Sequence, residues 1–419
     1  MGILLPVPEP HRTRLAVTAD WLAVAAIAAL PWSTSALAIL VVIWALVLLP
    51  TLERSEVTAV LRTPAGALPI VLVVLAVAGL AWSQAPWADE FRALQQFFKL
   101  LAIPLLMIQF RRSGNGMPIL IAFIASCTVL LALSYAHATF PFDLPFGRKD
   151  TRGAPIFDYI IQSGFFTLAA FLLIEMAGQT WRAGRRIPAM LLALLAAVFL
   201  LNLAVVVTGR TSLVVAAVLA AVFVLRAASL RMTAIIGGCA VALAVLAVVA
   251  IPQLRERVLS VQDEVQRYDS TGELNSSGQR LTYWRISLMA LRESPVIGLG
   301  TGATGPWFNK TVEQLGLGER ALVRNPHNQI LGVGVQLGLI GIVVLLAMWL
   351  AHGMMFRGIG LADTGLVVWA GLAAVVQNVV ASLFNSHLFD FAPGWLYVFI
   401  VGSMAGVMVH NKSKAPDSA

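Results

Sequence analysis

Apolar runs of membrane-spanning character alternate with short polar connections along almost the whole chain. They lie near residues 16–30, 36–50, 66–82, 97–110, 117–137, 158–177, 188–208, 211–226, 231–251, 327–350, 364–384 and 391–409. A bilayer helix needs roughly 20 apolar residues, fewer when flanking Arg or Lys side chains reach back to the interface, so the pattern predicts an all-α polytopic membrane protein of about 12 transmembrane helices. One interval breaks the rhythm: residues 252–326 form a long segment between the ninth and tenth expected helices. Within it Leu254 to Tyr268 reads as an amphipathic helix and Asp269 to Gly278 is turn-rich. Leu281, Trp284, Leu288 and Leu291 then recur at helical spacing, an apolar face for the membrane or the bundle. The chain divides into residues 1–251, 252–326 and 327–419, which together make one integrated membrane domain.

Composition excludes a water-soluble surface over most of this length: 59% of residues are hydrophobic, 12% are charged and the mean hydropathy is +0.83. Cys127 and Cys239 both lie inside apolar runs, which argues against a disulfide framework. Arg12 and Arg14 precede the first run without a convincing signal-peptidase site, so that run is expected to be retained. The net charge of +8 suits anionic lipids or phosphates.

The distribution of that charge orients the bundle. With the N-terminus inside, the inner connections hold Arg12, Arg14, Arg54, Arg62, Arg111, Arg112, Arg182, Arg185, Arg186, Arg226, Arg231, Arg357, Lys412 and Lys414. The short outer loops hold only Arg92, Lys99, Arg148, Lys149, Arg152 and Arg210. This bias predicts cytoplasmic termini and an outward-facing 252–326 segment.

Candidate chemistry gathers on that outer side. Asn325-Pro326-His327-Asn328-Gln329 stands directly before a long apolar helix, Ile330 to Leu350. Asn325 suits an N-cap and Pro326 a first helical position, which puts His327 in the first turn. There the positive end of the helix dipole disfavours imidazolium and attracts an anion. A purely structural polar cap is the alternative. Arg280 lies one turn from Trp284, which sets a cation beside a low-dielectric surface; a solvated surface charge is the bland version. Arg210 sits in Thr208-Gly209-Arg210-Thr211-Ser212, a nearly loop-free join between apolar runs, where arginine is costly unless paired or snorkelling. Arg148, Lys149 and Arg152 add cations on the same side, and the last outer loop adds Asn385, Ser386, His387 and Asp390. Gly300-Thr301-Gly302-Ala303-Thr304-Gly305 matches a dinucleotide fingerprint in letters only, lacks the strand–turn–helix context and reads as a flexible turn. Gly334 and Gly338, with Gly341, read as small residues that let the helix after His327 pack closely. No zinc-ligand spacing is present around His327 or His387, so no metal or other cofactor is expected.

The twelve runs, the long outer segment, the Arg210 turn, Arg280-x-x-x-Trp284 and Pro326-His327-Asn328 together resemble the bacterial O-antigen ligases over nearly the whole chain. That group is similar to O-antigen polymerases and bacterial O-oligosaccharyltransferases. The resemblance implies a glycosyltransferase of the bacterial inner membrane with a periplasmic active site, no cofactor and no nucleic-acid partner. Its donor would be a glycan on undecaprenyl pyrophosphate, its acceptor a sugar hydroxyl of lipid A-core, and its surroundings membrane lipids. The family's essential histidine falls on His327 and its two essential arginines on Arg210 and Arg280, with His387 a weaker match. On that footing His327 is the expected base, Arg210 and Arg280 stabilise the leaving pyrophosphate, Asn325, Asn328 and Trp284 line the substrate, and Arg148, Lys149 and Arg152 hold core phosphates. A polymerase or a protein O-oligosaccharyltransferase is the alternative within the superfamily. A 12-helix transporter is the rival class, disfavoured because the two halves of the chain differ and few charges fall at mid-bilayer depth.

Overall fold

A computed structural model describes residues 9–140, 152–227, 255, 276–316, 325–357 and 365–414. Fifteen α-helices carry the described chain: α1 Glu9–Ala29, α2 Thr34–Leu48, α3 Arg54–Leu61, α4 Pro64–Ala78, α5 Trp87–Phe98, α6 Ala102–Ser113, α7 Met117–Thr139, α8 Tyr159–Arg182, α9 Arg186–Val205, α10 Arg210–Ala227, α11 Ser276–Glu293, α12 Thr304–Gln314, α13 Gln329–Met355, α14 Gly365–Ser382 and α15 Phe391–Lys414. Their boundaries follow local chemistry. Ser33 and Thr63 cap α2 and α4 through their hydroxyls, Pro64 occupies the first turn of α4, and left-handed Gly114 ends α6. Asp158 caps α8, accepting from Ile160 N at 3.0 Å and Ile161 N at 2.9 Å.

Among the described residues nine helical stretches are long and apolar enough to cross a bilayer: Thr34–Thr51, Pro64–Ala81, Trp87–Ser113, Met117–Thr139, Tyr159–Arg182, Arg186–Val205, Gln329–Met355, Gly365–Ser382 and Phe391–Lys414. Helices α1 and α10 coincide with two further expected runs without entering that set, and the run at 231–251 lies outside the described residues. The expected amphipathic helix at 254–268 also falls almost wholly outside them.

The helices pack as one bundle, α6 against α15, α8 against α9, α13 against α4 and α14, and α14 against α8, α10 and α15. Its core is aromatic: Phe166 meets Phe199 at 5.1 Å, Phe223 meets Trp369 at 5.0 Å and Phe97 meets Phe389 at 4.8 Å, all edge-on. The two ends of the bundle differ in chemistry. At one end Arg12 pairs with Glu53, Arg112 reaches Glu56 Oε1 at 2.6 Å and Thr51 Oγ1 at 2.9 Å, and Arg226 meets Glu175 at 2.7 Å. At the opposite end buried Lys99 donates to the carbonyls of Phe389 and Asp390 at 2.9 and 2.8 Å, fixing the 383–390 turn between α14 and α15. A cation removed from water needs such partners.

The helix after His327 is not continuous. At Gly338 the backbone turns to φ 61°, ψ −157°, a conformation open only to glycine, and α13 breaks there. The break frees backbone groups that the stretch 295–300 satisfies: Leu299 N donates to Val335 O at 2.9 Å and Gly300 N to Gln336 O at 3.0 Å, while Leu339 N and Ile340 N donate to Pro295 O and Val296 O at 2.8 and 3.2 Å. Irregular backbone at membrane depth survives only where protein satisfies it in this way. Gly338 therefore serves the docking of this wedge rather than helix–helix packing along an unbroken helix. The glycine-rich stretch 300–305 is likewise no flexible turn. Thr301 Oγ1 donates to Ala76 O at 2.5 Å, Ser83 Oγ donates to Thr301 O at 2.8 Å, and a Cβ at Gly302 would lie 2.7 Å from Glu90 backbone. The glycines are there because backbone touches backbone, clamping α4, α5 and α13 together.

Candidate functional site

His327 does not occupy the first turn of α13. The cap is Asn328, with extended backbone (φ −155°, ψ 120°) and Oδ1 accepting from Leu331 N at 3.1 Å, so the helix begins at Gln329. His327 precedes the cap with φ 50°, the only non-glycine among the described residues at positive φ. Side chains rarely adopt this left-handed form, so the surroundings must hold it. They do: Asn325 Oδ1 accepts from His327 N at 2.9 Å and from Ser386 Oγ at 2.5 Å, Asn328 Nδ2 donates to Leu383 O at 3.1 Å, and Gln329 Oε1 accepts from Leu388 N and Phe389 N, both at 3.1 Å. The strained residue is thus pinned between its own neighbours and the 383–390 turn that Lys99 secures.

The imidazole is positioned as closely as its backbone. On one side it stacks on Tyr283 of α11, ring centroids 5.8 Å apart and 28° between planes. Tyr283, Ile286, Phe308 and Val312 form a small separate core that joins α11 to α12. On the other side Nδ1 lies 3.3 Å from Asn385 Oδ1. An amide oxygen only accepts, so Nδ1 carries the hydrogen and Nε2 keeps a free lone pair. The Asn385 amide nitrogen in turn lies 3.5 Å from His387 Nε2. His387 is buried behind Asn385 and burial pushes its pKa down to about 4, so it is a neutral acceptor there. The relay His387, Asn385, His327 fixes one tautomer.

Burial holds the His327 pKa below its ordinary value; the Asn385 hydrogen bond pulls it back up, and the charge of Arg280 pushes it down. Arg280 therefore acts electrostatically on the ring. Arg210 opens α10, where Gly209 packs on Ser163 in the first turn of α8 and Ser212 Oγ lies 2.6 Å from Ser163 Oγ. That turn of α8 belongs to the same end of the bundle: the carboxylate of Asp390 is pushed up to about 6, by burial first, with Lys99 opposing and Asp158 reinforcing the shift. Arg152 caps the chain near α7 through Ala138 O at 2.5 Å, and Arg148 and Lys149 lie outside the described residues. The indole N–H of Trp284 is buried with no partner among the described residues.

Two contacts of the ring carried no sequence assignment. Tyr283 lies three residues from Arg280, the spacing that puts side chains on one helix face, and this is the signal that points to it. The buried face of α11 runs through Tyr283, Ile286 and Ala290, whereas Leu281 and Leu288, on the face expected from the leucine spacing, stay 37% and 50% exposed. Asn385 sits next to His387 in a polar turn, and only the folded chain brings it to His327.

Asn325 and Pro326 also line a cleft, open at its mouth, together with Asp89, Arg92, Gln96, Thr304 and Phe389. No curated protein matches the chain in a search of such sequences. A family model described as O-antigen ligase matches residues 195–346, a stretch that contains Arg210, Arg280 and His327. Alongside the all-helical bundle and the nine apolar spans among the described residues, that match supports membership of the O-antigen ligase superfamily.

Proposed function

We propose that the protein is an O-antigen ligase: it transfers a glycan from undecaprenyl pyrophosphate to a sugar hydroxyl of lipid A-core at the periplasmic face of the bacterial inner membrane. The family match supports an enzyme of the O-antigen ligase and polymerase type acting on glycans in a membrane. The observation that carries the finer reading is the His327 imidazole, held in one tautomer by Asn385 and kept uncharged by burial and by Arg280.

In this reading the acceptor hydroxyl oxygen attacks the anomeric carbon as the bond to pyrophosphate breaks. His327 Nε2 takes the hydroxyl proton, and undecaprenyl pyrophosphate departs with the bonding electrons, so the anomeric centre inverts. Arg280 and Arg210 face the growing phosphate charge, which guanidinium groups stabilise through forked, charge-assisted hydrogen bonds. Lipid tails of both substrates stay in the outer leaflet. In this reading the end that carries Arg12, Arg112, Arg182 and Arg226 faces the cytoplasm, which the excess of cations there supports.

The test offers purified full-length protein one labelled lipid-pyrophosphate glycan and, in turn, lipid A-core, a second donor molecule and a pilin-like protein, with excess chelator throughout. Product on lipid A-core alone is expected. Product only on the second donor would make it a polymerase, and product only on protein an oligosaccharyltransferase.

The tautomer relay gives a pH prediction. Only neutral His327 accepts a proton, and its pKa is depressed below the ordinary 6.5, so the rate should hold through neutral pH and fall only in acid. Asn385→Asp sets a carboxylate against Nδ1 and favours imidazolium, by about 1 pKa unit or more. The acid limb of the single-turnover pH–rate profile should move upward by that amount. An unshifted limb would separate Asn385 from the base.

A further inference from the structure

The cleft beside Asn325 has a chemistry distinct from that of the histidine and the arginines. Its single cation, Arg92, is held by Asp89 at 2.8 Å, so the site is close to neutral and poorly suited to a phosphate. Thr304, the first residue of α12, is 6% exposed and its hydroxyl is buried without a hydrogen-bond partner. A buried hydroxyl left unpaired is unfavourable unless a ligand completes it. Gln96 adds an amide with no side-chain hydrogen bond to any described residue, while the Gln336 amide is already engaged with Gly302 N at 2.9 Å and Gly332 O at 3.0 Å and forms a fixed wall. Phe389, Pro326, Gly332 and Ala93 supply apolar surface.

An apolar wall combined with a few convergent neutral polar groups matches a pyranose ring, which has apolar C–H faces and a rim of hydroxyls. Location agrees, because Asn325 and Pro326 are shared between this cleft and the turn that carries His327. We infer that the cleft between α5, the start of α12 and α13 is a monosaccharide subsite, in which Thr304 and Gln96 hydrogen-bond the hydroxyls of the sugar next to the reacting bond. This rests on the transfer reaction proposed above for its role, although sugar binding itself can be read separately.

The experiment uses full-length protein in nanodiscs with two soluble probes, core oligosaccharide freed from lipid A and O-repeat oligosaccharide freed from its carrier. Saturation-transfer NMR reads binding of each to the native protein, to Thr304→Val and to Gln96→Ala; valine keeps the shape of threonine and removes only the unpaired hydroxyl. Each variant should weaken one probe about fivefold, the effect of one neutral hydrogen bond. In the transfer assay the KM of the same substrate should rise by the same factor. Weakening confined to the core oligosaccharide identifies the occupant as acceptor sugar, and weakening confined to the O-repeat identifies it as donor sugar. If both variants bind both probes as the native protein does, the subsite is wrong even where transfer proceeds. If the native protein binds sugar here but transfers nothing, the subsite stands and the ligase reading fails.

Discussion

Substituting asparagine for His327 is expected to leave the protein folded and to slow glycan transfer about 10²–10⁴-fold, the usual contribution of a positioned general base. Asparagine is the informative choice because of the backbone. His327 sits at φ 50°, a left-handed conformation that asparagine tolerates better than most residues and alanine does not. Alanine would add a strain of roughly 1–2 kcal/mol to the lost imidazole and confuse folding with chemistry. The asparagine variant keeps the bonds of the main chain, including His327 N to Asn325 Oδ1, and loses only the group that can take a proton. Rates from purified protein, read beside thermal unfolding of the same samples, separate the two effects. A folded variant that transfers at near native rate would end the assignment of His327 as base.

Much of the bundle was legible in the sequence because hydrophobic length reports directly on bilayer crossing. Eleven of the twelve expected runs coincide with helices of the described chain, and the run at 231–251 lies outside the described residues. What could not be read is what depends on backbone pairing across the chain. The local signals at Asn325-Pro326 favour a cap and a first turn, yet Asn325 is drawn off by Ser386 and Asn328 caps instead. Those competing partners lie about sixty residues away, beyond any local rule. The leucine spacing of α11 left open whether its apolar face meets the membrane or the bundle; Leu281 and Leu288 stay exposed, and Tyr283 marks the inward face. Gly338 gave no warning either. Beside Gly334 and Gly341 it looks like one more small residue in an apolar helix, and only residues 295–300, forty positions earlier, require it.

Replacing Gly338 by alanine is accordingly expected to be the most damaging single change to the fold, about 3–5 kcal/mol. Two causes act together. At φ 61° and ψ −157° a side chain is strained by roughly 1–3 kcal/mol whatever its surroundings. The new Cβ would also strike the Val296 carbonyl and come within 2.6 Å of Gly298 N, which are backbone and cannot turn aside. Moving the wedge to relieve that contact would open the four hydrogen bonds between residues 295–300 and the broken helix, and unpaired backbone at membrane depth is costly. Gly184→Ala isolates the first cause: Gly184 has φ 78° with nothing within 4 Å of its Cβ position, so only strain of about 1 kcal/mol is expected. Thermal inactivation of the two purified variants, with monodispersity as a check on assembly, should therefore differ widely, the Gly338 variant failing first. Because the wedge leads through Gly302 to Thr304 and the cleft beside His327, partial loss of the Gly338 variant should also lower transfer before global unfolding begins. Equal stability of the two variants would mean that the break in α13 does not depend on the wedge, and the route from membrane interior to candidate site would have to be redrawn.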